Sequence, residues 1–463
     1  MKDEYKSEDN KTNLLINKFN EMLKSGTYLY FDSHEIEKII DYFNLKIDGF
    51  KVKQAFNLYE KLYPFSSQIS IKKAQTLILH DRPKEAFRLL NKFPKNCNNE
   101  EYLYTKACIY SKLEEHLKAI EIFEKLLYLD NNNEEILSNL ANEYQKTNNY
   151  AKSADMLEKL INLKTYNEIN WYSYIITCEM TDSLKRSLNF TKKYIDKNPF
   201  DYESWFYLGI IHQKMGNHIN AIDSFDYCIC IKKDYLCAYI NKASSFSDLG
   251  YYQQAIDSYK ETFKYESPDA ILFFDMAELY EKIDDINNAK YYFYKCIKKD
   301  ENFAEAWFSL ALIFDLQGLN SKASYHINKA VEINPNNEDY LFAYAKINEK
   351  IGLNREAEIA YKKVLEINEL DHQSWLNYSI LLSKDESINE AIEVLKKVVI
   401  MNPKNAELLY VLSIYLFKSG NEHQALSIIK KALSIDYELH TTFFEYIPNH
   451  KKNKNLLKLL KEH

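Results

Sequence analysis

Glycine and proline are scarce in this sequence, since each occurs only eight times in 463 residues. All-β sandwiches and barrels need a turn about every 8–12 residues, so the scarcity argues strongly against them. The sequence also has no GxGxxG or GxxxxGK[ST] segment, which disfavours a nucleotide-binding α/β enzyme. Hydrophobic residues nevertheless make up 46% of the chain, enough for a large core. These absences leave a mostly helical protein as the predicted class.

Arginine is also rare, and the charge balance is acidic. Only four residues are Arg, and 60 basic side chains stand against 67 acidic ones, which gives a net charge of −7. Proteins that read nucleic acids usually carry a basic excess and use Arg for bidentate contacts. We therefore expect no nucleic-acid partner.

Long apolar runs and cysteine motifs are missing as well. No segment has the roughly 18 consecutive apolar residues of a transmembrane helix, and the charged first residues lack the apolar core of a signal peptide. The seven Cys are scattered without a CxxC pair. We expect a cytoplasmic protein without a membrane, metal or cofactor partner, whose reduced thiols fill its core.

The sequence does contain an internal repeat of 34 residues. The segments that begin at Trp205 and Trp307 align at an offset of three periods. A frame set at Glu100 gives ten units without an insertion or deletion, starting at residues 100, 134, 168, 202, 236, 270, 304, 338, 372 and 406. We name each repeat by its first residue and number its positions from 1 to 34.

The residue pattern within the frame predicts two helices per repeat. Position 4 is large and apolar in every repeat, position 20 is Ala or Ser, and position 8 is small in nine of ten. Positions 4, 7, 8 and 11 share one face of a first helix, and positions 20, 24 and 27 share one face of a second. Small residues let the two helices approach closely, and stacking on the next hairpin buries the remaining apolar face.

This period and pattern resemble the tetratricopeptide repeat family, whose consensus has Trp, Leu, Gly and Tyr at positions 4, 7, 8 and 11, Ala at 20 and Phe at 24. The fullest match is Trp205, Leu208 and Gly209 with Ala221 and Phe225. The resemblance covers residues 100–439. It implies an all-α fold, a right-handed α-solenoid (superhelix) of about twelve helix hairpins.

The remaining residues are predicted to extend and close this array. We assign residues 1–35 to an N-terminal tail and capping helix, 36–99 to two irregular repeats, and 440–463 to a C-terminal capping segment. The Lys-rich helix near the C-terminus has apolar leucines such as Leu456. It could lie on a membrane surface, but we favour capping of the last repeat, because a solenoid requires a covered end.

No catalytic constellation emerges from the sequence. The repeats and caps use nearly every residue, and none of the His residues lies in an HExxH segment. His212 occupies position 11, where we predict a packing residue with one hydrogen bond. We therefore predict a protein that is not an enzyme and has no cofactor.

The resemblance implies that positions 2, 5, 9, 12 and 13 face a concave groove. Position 5 is apolar or aromatic in nine of ten repeats, and position 9 is often apolar too. An exposed apolar strip normally marks a partner site, although each side chain could instead pack on its neighbours. The predicted partner-binding residues are Tyr172, Ile176, Phe206, Ile210, Phe274, Phe308, Leu312, Phe342, Tyr410 and Ile414.

These observations predict a non-enzymatic scaffold or adaptor that captures peptide segments of partner proteins in a concave aromatic groove, as a monomer or with weak self-association. The alternative is a regulatory or assembly subunit of an enzyme or of an RNA-associated complex. Acidic residues at position 2 and lysines at position 13 are interpreted as complements of the helix dipoles, not as ligand contacts. The residue set of the carboxylate clamp of chaperone adaptors is absent.

Overall fold

The computed structural model describes residues 2–64, 66–91, 99–163, 168–384, 387–441, 443 and 453–462. Across these residues the regular secondary structure is helical throughout, which confirms the predicted all-α helical repeat fold. The chain divides into two compact units, unit 1 (Met1–Ala238) and unit 2 (Tyr239–His463), and the division falls inside one helix.

The helices of unit 1 follow one another with short turns. Their bounds are α1 Lys2–Ser25, α2 Ser33–Leu45, α3 Gly49–Leu62, α4 Gln68–Leu79, α5 Pro83–Leu90, α6 Glu100–Lys112, α7 His116–Leu129, α8 Glu134–Lys146, α9 Tyr150–Asn162, α10 Glu168–Met180, α11 Leu184–Lys197, α12 Tyr202–Lys214 and α13 His218–Ile231. Helix α14, Leu236–Asp248, contains the division between the units.

Unit 2 continues the same succession of helices. Their bounds are α15 Tyr252–Thr262, α16 Ala270–Lys282, α17 Ile286–Lys299, α18 Ala304–Leu316, α19 Asn320–Ile333, α20 Glu338–Lys350, α21 Asn354–Ile367, α22 His372–Lys384, α23 Ile388–Met401, α24 Ala406–Lys418, α25 Glu422–Ile435 and α26 Lys454–Glu462. In every repeat of the 34-residue frame the first helix begins at position 1 and the second begins at position 17.

Side-chain caps fix several of these helix starts. A carboxamide or carboxylate at position 34 of one repeat accepts a hydrogen bond from a backbone N–H in the first turn of the next repeat's first helix. The distances are 3.1 Å for Asn133, 3.0 Å for Asn337 and 3.2 Å for Asn405. Such a cap satisfies a donor that the helix itself leaves unpaired.

The turn between the two helices of a repeat has a left-handed residue at position 15. This residue has a positive φ in every repeat in which the structure describes it. It is Gly in five repeats, for example Gly318 with φ 70°, and the N–H of Leu319 then donates to the carbonyl of Phe314 at 2.9 Å. The other four repeats use Glu114, Asn148, Asp182 and Asp284. This backbone conformation ends the first helix and satisfies its last carbonyls.

The cores form where the two helices of each repeat cross. All ten side chains at position 20 are fully buried, as the pattern predicts, and so is position 8. At Gly209 the crossing leaves no room for a side chain, since a Cβ atom would lie only 2.4–2.7 Å from three ring atoms of Phe225. The small residues therefore set the distance between the helices, and bulky residues such as Phe225 and Phe293 fill the space beside them.

In three repeats a tryptophan at position 4 bonds the first helix to the turn before it. The indole N–H donates to the backbone carbonyl six residues earlier, at 2.9 Å for Trp205, 3.0 Å for Trp307 and 2.8 Å for Trp375. The rings also pack on the second helix, since Trp205 stacks on Tyr227 with centroids 4.5 Å apart. The same contact recurs because the residue recurs at the same position.

Both ends of the array are covered by additional helices. In unit 1, Ile16, Phe19 and Met22 of α1 are buried in the first hydrophobic core. In unit 2, Leu456 of α26 is buried in the last core, and Asn453 before that helix donates to Glu422 at 2.7 Å. The remainder of the C-terminal segment between residues 444 and 452, to which we assign part of the predicted cap, lies outside the described residues.

Candidate functional site

Unit 1 contains four of the predicted partner-binding residues, and they differ in exposure. Tyr172 is exposed, with 58% of its surface accessible, while Ile176 and Ile210 are half-buried. Phe206 is buried, because its ring packs against Phe225 at 5.8 Å and Tyr235 at 5.2 Å between centroids. Only part of this set is therefore available to a partner.

Unit 2 covers most of its position 5 aromatic residues with rings from neighbouring helices and turns. Phe274 is half-buried against Phe303 at 5.0 Å, and Phe308 is half-buried against Tyr340 at 4.7 Å. Phe342 is likewise half-buried, and Leu312 is exposed. The predicted residues therefore differ in exposure along unit 2, because several of them pack against rings of the same or the next repeat. Their assignment as binding residues stays a prediction.

The last two predicted residues, Tyr410 and Ile414, are buried but border a cavity in unit 2. This cavity has a volume of about 570 Å³. It lies along the first helices of the 372 and 406 repeats, α22 and α24, and residues that follow the last repeat close one side. It is lined by Leu376, Ile380, Ser383, Lys384, Glu407, Tyr410, Val411, Ile414, Tyr415, Lys418, Leu439 and Phe443.

The apolar wall of the cavity is held in place by packing and one hydrogen bond. The hydroxyl of Tyr410 donates to the carbonyl of Asp436 at 2.8 Å, and its ring lies 6.0 Å from that of Phe443. Burial, together with the nearby charge of Asp436, raises the pKa of Tyr410 to about 12. Tyr410 therefore stays neutral and fixed, while Ile380 and Val411 are half-buried and present apolar surface.

Lys384, on the rim of the cavity, belongs to a series of ion pairs between the first helices of consecutive repeats. Lysine at position 13 pairs with a carboxylate at position 12 of the preceding repeat, 35 residues earlier, and we call each such pair a rung. In unit 2 Lys350 lies 2.6 Å from Asp315, and Lys384 lies 2.7 Å from Glu349. In unit 1 Lys214 lies 2.6 Å from Glu179. These contacts correct the sequence interpretation of position 13, which assigned these lysines to the helix dipole alone.

One lysine at the cavity has no carboxylate opposite it, so no rung forms there. Position 12 of the 372 repeat is Ser383, whose hydroxyl donates to the carbonyl of Ile380 at 2.7 Å. Lys418, at position 13 of the 406 repeat, consequently has no ion pair within the described part of the chain. Sequence reasoning did not single out Ser383 and Lys418 as a pair. Comparing position 12 with position 13 of the next repeat would have found them.

Two smaller cavities lie in unit 1. One, of about 310 Å³, is lined by residues of α1 and α3 such as Met22 and Lys61. The other, of about 330 Å³, lies between α7, α8 and α9 around Tyr128 and Tyr144. Neither is bordered by a residue that the sequence predicts to bind a partner.

Titratable groups do not assemble into a reactive site in the described residues. Within the ranges given above, no cluster of three His, Cys, Asp or Glu residues could hold a metal ion. Burial lowers the pKa of His212, and its Nδ1 atom has no hydrogen-bond partner there, so the single hydrogen bond expected for this residue is not found at Nδ1. No helix in the described part of the chain has the length and apolar character needed to cross a bilayer.

Comparison with known proteins matched this chain to one family model and to several solved structures. The family model described as tetratricopeptide repeat matches residues 100–133, 238–266 and 304–337. Two of these segments coincide with whole repeats of the 34-residue frame. The search of curated proteins found no significant match.

Three solved structures illustrate the structural likeness. YrrB, "a TPR protein with an unusual peptide-binding site", is 17% identical, with 40% of this chain and 96% of that chain covered and a TM-score of 0.35. MamA is 22% identical over 35% of this chain and 95% of that one, with a TM-score of 0.33. The APC/C hetero-tetramer Cut9–Hcn1 is 13% identical over 92% and 94%, with a TM-score of 0.35.

The matched segments agree with the helix hairpins described above. The residues at positions 4, 8, 20 and 24 occupy the crossing of the two helices in repeats that the model matches and in repeats that it does not. The chain therefore contains tetratricopeptide repeats at the matched segments, within an all-α helical repeat fold.

Proposed function

We propose that this protein is a non-enzymatic scaffold that binds an extended peptide segment of a partner protein in the cavity of unit 2. The observation that carries the proposal is the cavity of about 570 Å³ between α22, α24 and the residues that close the last repeat. Its volume falls in the range of about 300–1,000 Å³ that is typical of ligand sites. Arrays of stacked repeats commonly use such extended surfaces for recognition.

The lining favours an apolar anchor on the peptide. Ile380 and Val411 are half-buried on facing helices, so an inserted side chain would remove both from water. Burying one Leu or Phe side chain contributes roughly 1.5–3 kcal/mol. Leu312 and Tyr172, the exposed members of the predicted set, lie outside the lining.

Protein partners fit this chain better than nucleic acid does. The net charge is −7, and the lysines at position 13 of the 338 and 372 repeats are paired with carboxylates. A nucleic-acid surface would instead need an unpaired basic stripe. We further propose that the protein works in the cytoplasm as a monomer or with weak self-association.

The test is selection of peptides followed by titration. A display library of random ten-residue peptides is panned against the full chain, and the enriched peptides are synthesised with fluorescein and titrated by anisotropy. The substitution Ile380→Gln should weaken binding about tenfold or more, because it places a polar group where the apolar anchor lies.

The matched control is Ile359→Gln on α21. This isoleucine is exposed, with 50% of its surface accessible, and does not line the cavity. It should leave affinity unchanged, and circular dichroism should show native helicity for both variants. Failure of the library to yield any binding peptide, or equal affinity for the wild type and Ile380→Gln, would contradict the proposal.

A further inference from the structure

The rungs between repeats show how this protein normally neutralises a lysine at position 13. In the 338 and 372 repeats the ammonium group lies 2.6–2.7 Å from a carboxylate of the preceding repeat. The carboxylates are largely covered, since the side chains of Asp315 and Glu349 are 18% and 14% exposed. A rung therefore places one negative charge at a defined point beside each lysine.

Three lysines at position 13 lie opposite Ser, not an acid, at position 12 of the preceding repeat, so they have no rung. Two of these lysines contact another group. Lys146, opposite Ser111, pairs with Glu143 at 2.9 Å. Lys282, opposite Ser247, lies over the ring of Tyr252, 5.5 Å from its centroid. The third is Lys418, opposite Ser383, for which the described residues offer neither an acid nor an aromatic ring. This lysine is also the one of the three that borders the 570 Å³ cavity.

The charges around the cavity are arranged unevenly along α24. Glu407 lies in the first turn of this helix and Lys418 in its last turn, about 16 Å apart along the axis. Lys384, the other lysine of the rim, is neutralised by Glu349. Among the residues that the structure describes, no acidic group pairs with Lys418 at one end of the cavity, whereas Glu407 places a negative charge at the other end.

We propose that the peptide held in this cavity carries an acidic side chain beside its apolar anchor, and that this carboxylate completes the rung with Lys418. The proposal rests on the proposed function, because it specifies which peptides that cavity prefers. The ligand's carboxylate takes the place that Asp315 occupies opposite Lys350. Glu407 repels the carboxylate at the opposite end, so the acidic residue and the anchor have a fixed order along the cavity.

The test uses defined peptides and the full chain. Fluorescein-labelled ten-residue peptides share two leucines three positions apart and differ at one further position, which is Glu, Gln or Lys and is moved along the peptide. The best Glu peptide should bind about two- to fivefold tighter than its Gln counterpart, and the Lys peptide should bind more weakly still. The preference should shrink at 0.5 M salt, because salt screens exposed charges.

Two variants test the rung itself. Lys418→Gln removes the ammonium group, and Ser383→Asp supplies the missing carboxylate within the protein. Both should bring the Glu and Gln peptides to equal affinity, the second without removing a lysine. Lys350→Gln, which disrupts a completed rung away from the cavity, should keep the preference for Glu.

The possible results separate this proposal from the one on which it rests. If the leucine peptides bind and Ile380→Gln weakens them, but Glu and Gln peptides bind the wild type equally, the cavity is a peptide site and the acidic preference is overturned. The same conclusion follows if the preference persists in both Lys418→Gln and Ser383→Asp. If no leucine peptide binds, or Ile380→Gln changes nothing, the proposed function itself fails.

Discussion

Units 1 and 2 follow one 34-residue frame but hold their repeats together in different ways. Unit 1 contains a buried carboxylate, that of Glu143, whose side chain is 3% exposed. It is bound by Ser111, His116 and Lys146 at 2.6–2.9 Å. Unit 1 also has a glycine, Gly209, at a helix crossing against Phe225. Rungs join first helices of successive repeats in both units, at Lys214 in unit 1 and at Lys350 and Lys384 in unit 2, where the lysines are about half exposed.

The difference shows that the frame specifies the positions of the helices and leaves open the chemistry that joins them. Position 8 is Gly209 opposite Phe225 in unit 1 and Ala277 opposite Phe293 in unit 2, and both pairs are buried. A buried polar network occupies space between helices, whereas rungs lie along the surface. In unit 2 the cavity of about 570 Å³ lies beside α22 and α24, and the lysine of one rung, Lys384, borders it.

The largest expected effect is at the helix crossing of Gly209. Gly209→Ala should destabilise unit 1 by about 2 kcal/mol, because the new methyl group overlaps the buried ring of Phe225 and either the ring or the helices must shift. Urea unfolding followed by circular dichroism measures the change. Phe225→Leu in the same chain should recover part of it, and Ala277→Gly in unit 2 should cost only about 1 kcal/mol. Tolerance of Gly209→Ala without a shift in the unfolding midpoint would show that the two crossings are equivalent.

A smaller effect is expected at the buried carboxylate. Burial alone would raise the pKa of Glu143, but the hydrogen bonds from Ser111, Lys146 and His116 outweigh burial and lower the pKa below its ordinary value. Glu143→Gln should therefore destabilise unit 1 by about 1.5 kcal/mol at pH 7. The matched variant Asp315→Asn in unit 2 should cost roughly 0.5 kcal/mol, because its rung is partly exposed.

The pH dependence follows from the direction of that shift. A lowered pKa in the folded state means that Glu143 stabilises the protein above its unfolded-state pKa of about 4.3. The contribution is lost as the pH falls from there through the folded-state pKa. Unfolding midpoints of the wild type and Glu143→Gln should thus converge as the pH falls below about 4.3, and a difference that stays constant on acidification would contradict the ionised role of Glu143.

The smallest effect concerns the turns at position 15. Glu114 in unit 1 has φ 61°, a conformation that costs an ordinary L-residue about 1–2 kcal/mol, whereas Gly318 in unit 2 adopts it freely. Glu114→Gly should raise stability by about 0.5 kcal/mol after the entropy of the unfolded glycine is included. The reciprocal change, Gly318→Glu, should lower stability, and a shift of both unfolding midpoints in the same direction would argue against backbone strain as the cause.

Most of the fold was predictable from the sequence because it depends on local periodicity. The alternation of small and bulky residues at positions 4, 8, 20 and 24 predicts two helices per repeat, and the helices begin at positions 1 and 17 throughout. Residues such as Ala221 and Ala323 are fully buried, as their positions indicate. These relations hold within one hairpin, so a single sequence contains them.

The candidate site was less predictable because it depends on contacts between repeats. Position 5 indicates the face of a helix, but Phe274 is covered by Phe303 at the end of its own repeat, and Phe308 is covered by Tyr340 of the next repeat. Whether Lys418 has a carboxylate opposite it likewise depends on a residue 35 positions earlier, which is Ser383. The size of the cavity further depends on Phe443, which follows the last repeat of the frame.

The recurrent tryptophan gives this protein a set of optical probes. Trp205 in unit 1 and Trp307 and Trp375 in unit 2 have the same hydrogen bond to the turn between repeats. Indole emission shifts to longer wavelength when water reaches the ring. Single-tryptophan versions of the chain, with the others changed to Phe, would thus report the opening of one chosen junction at a time. Unfolding that starts at one end could then be followed along the array by the emission wavelength of the tryptophan at each junction.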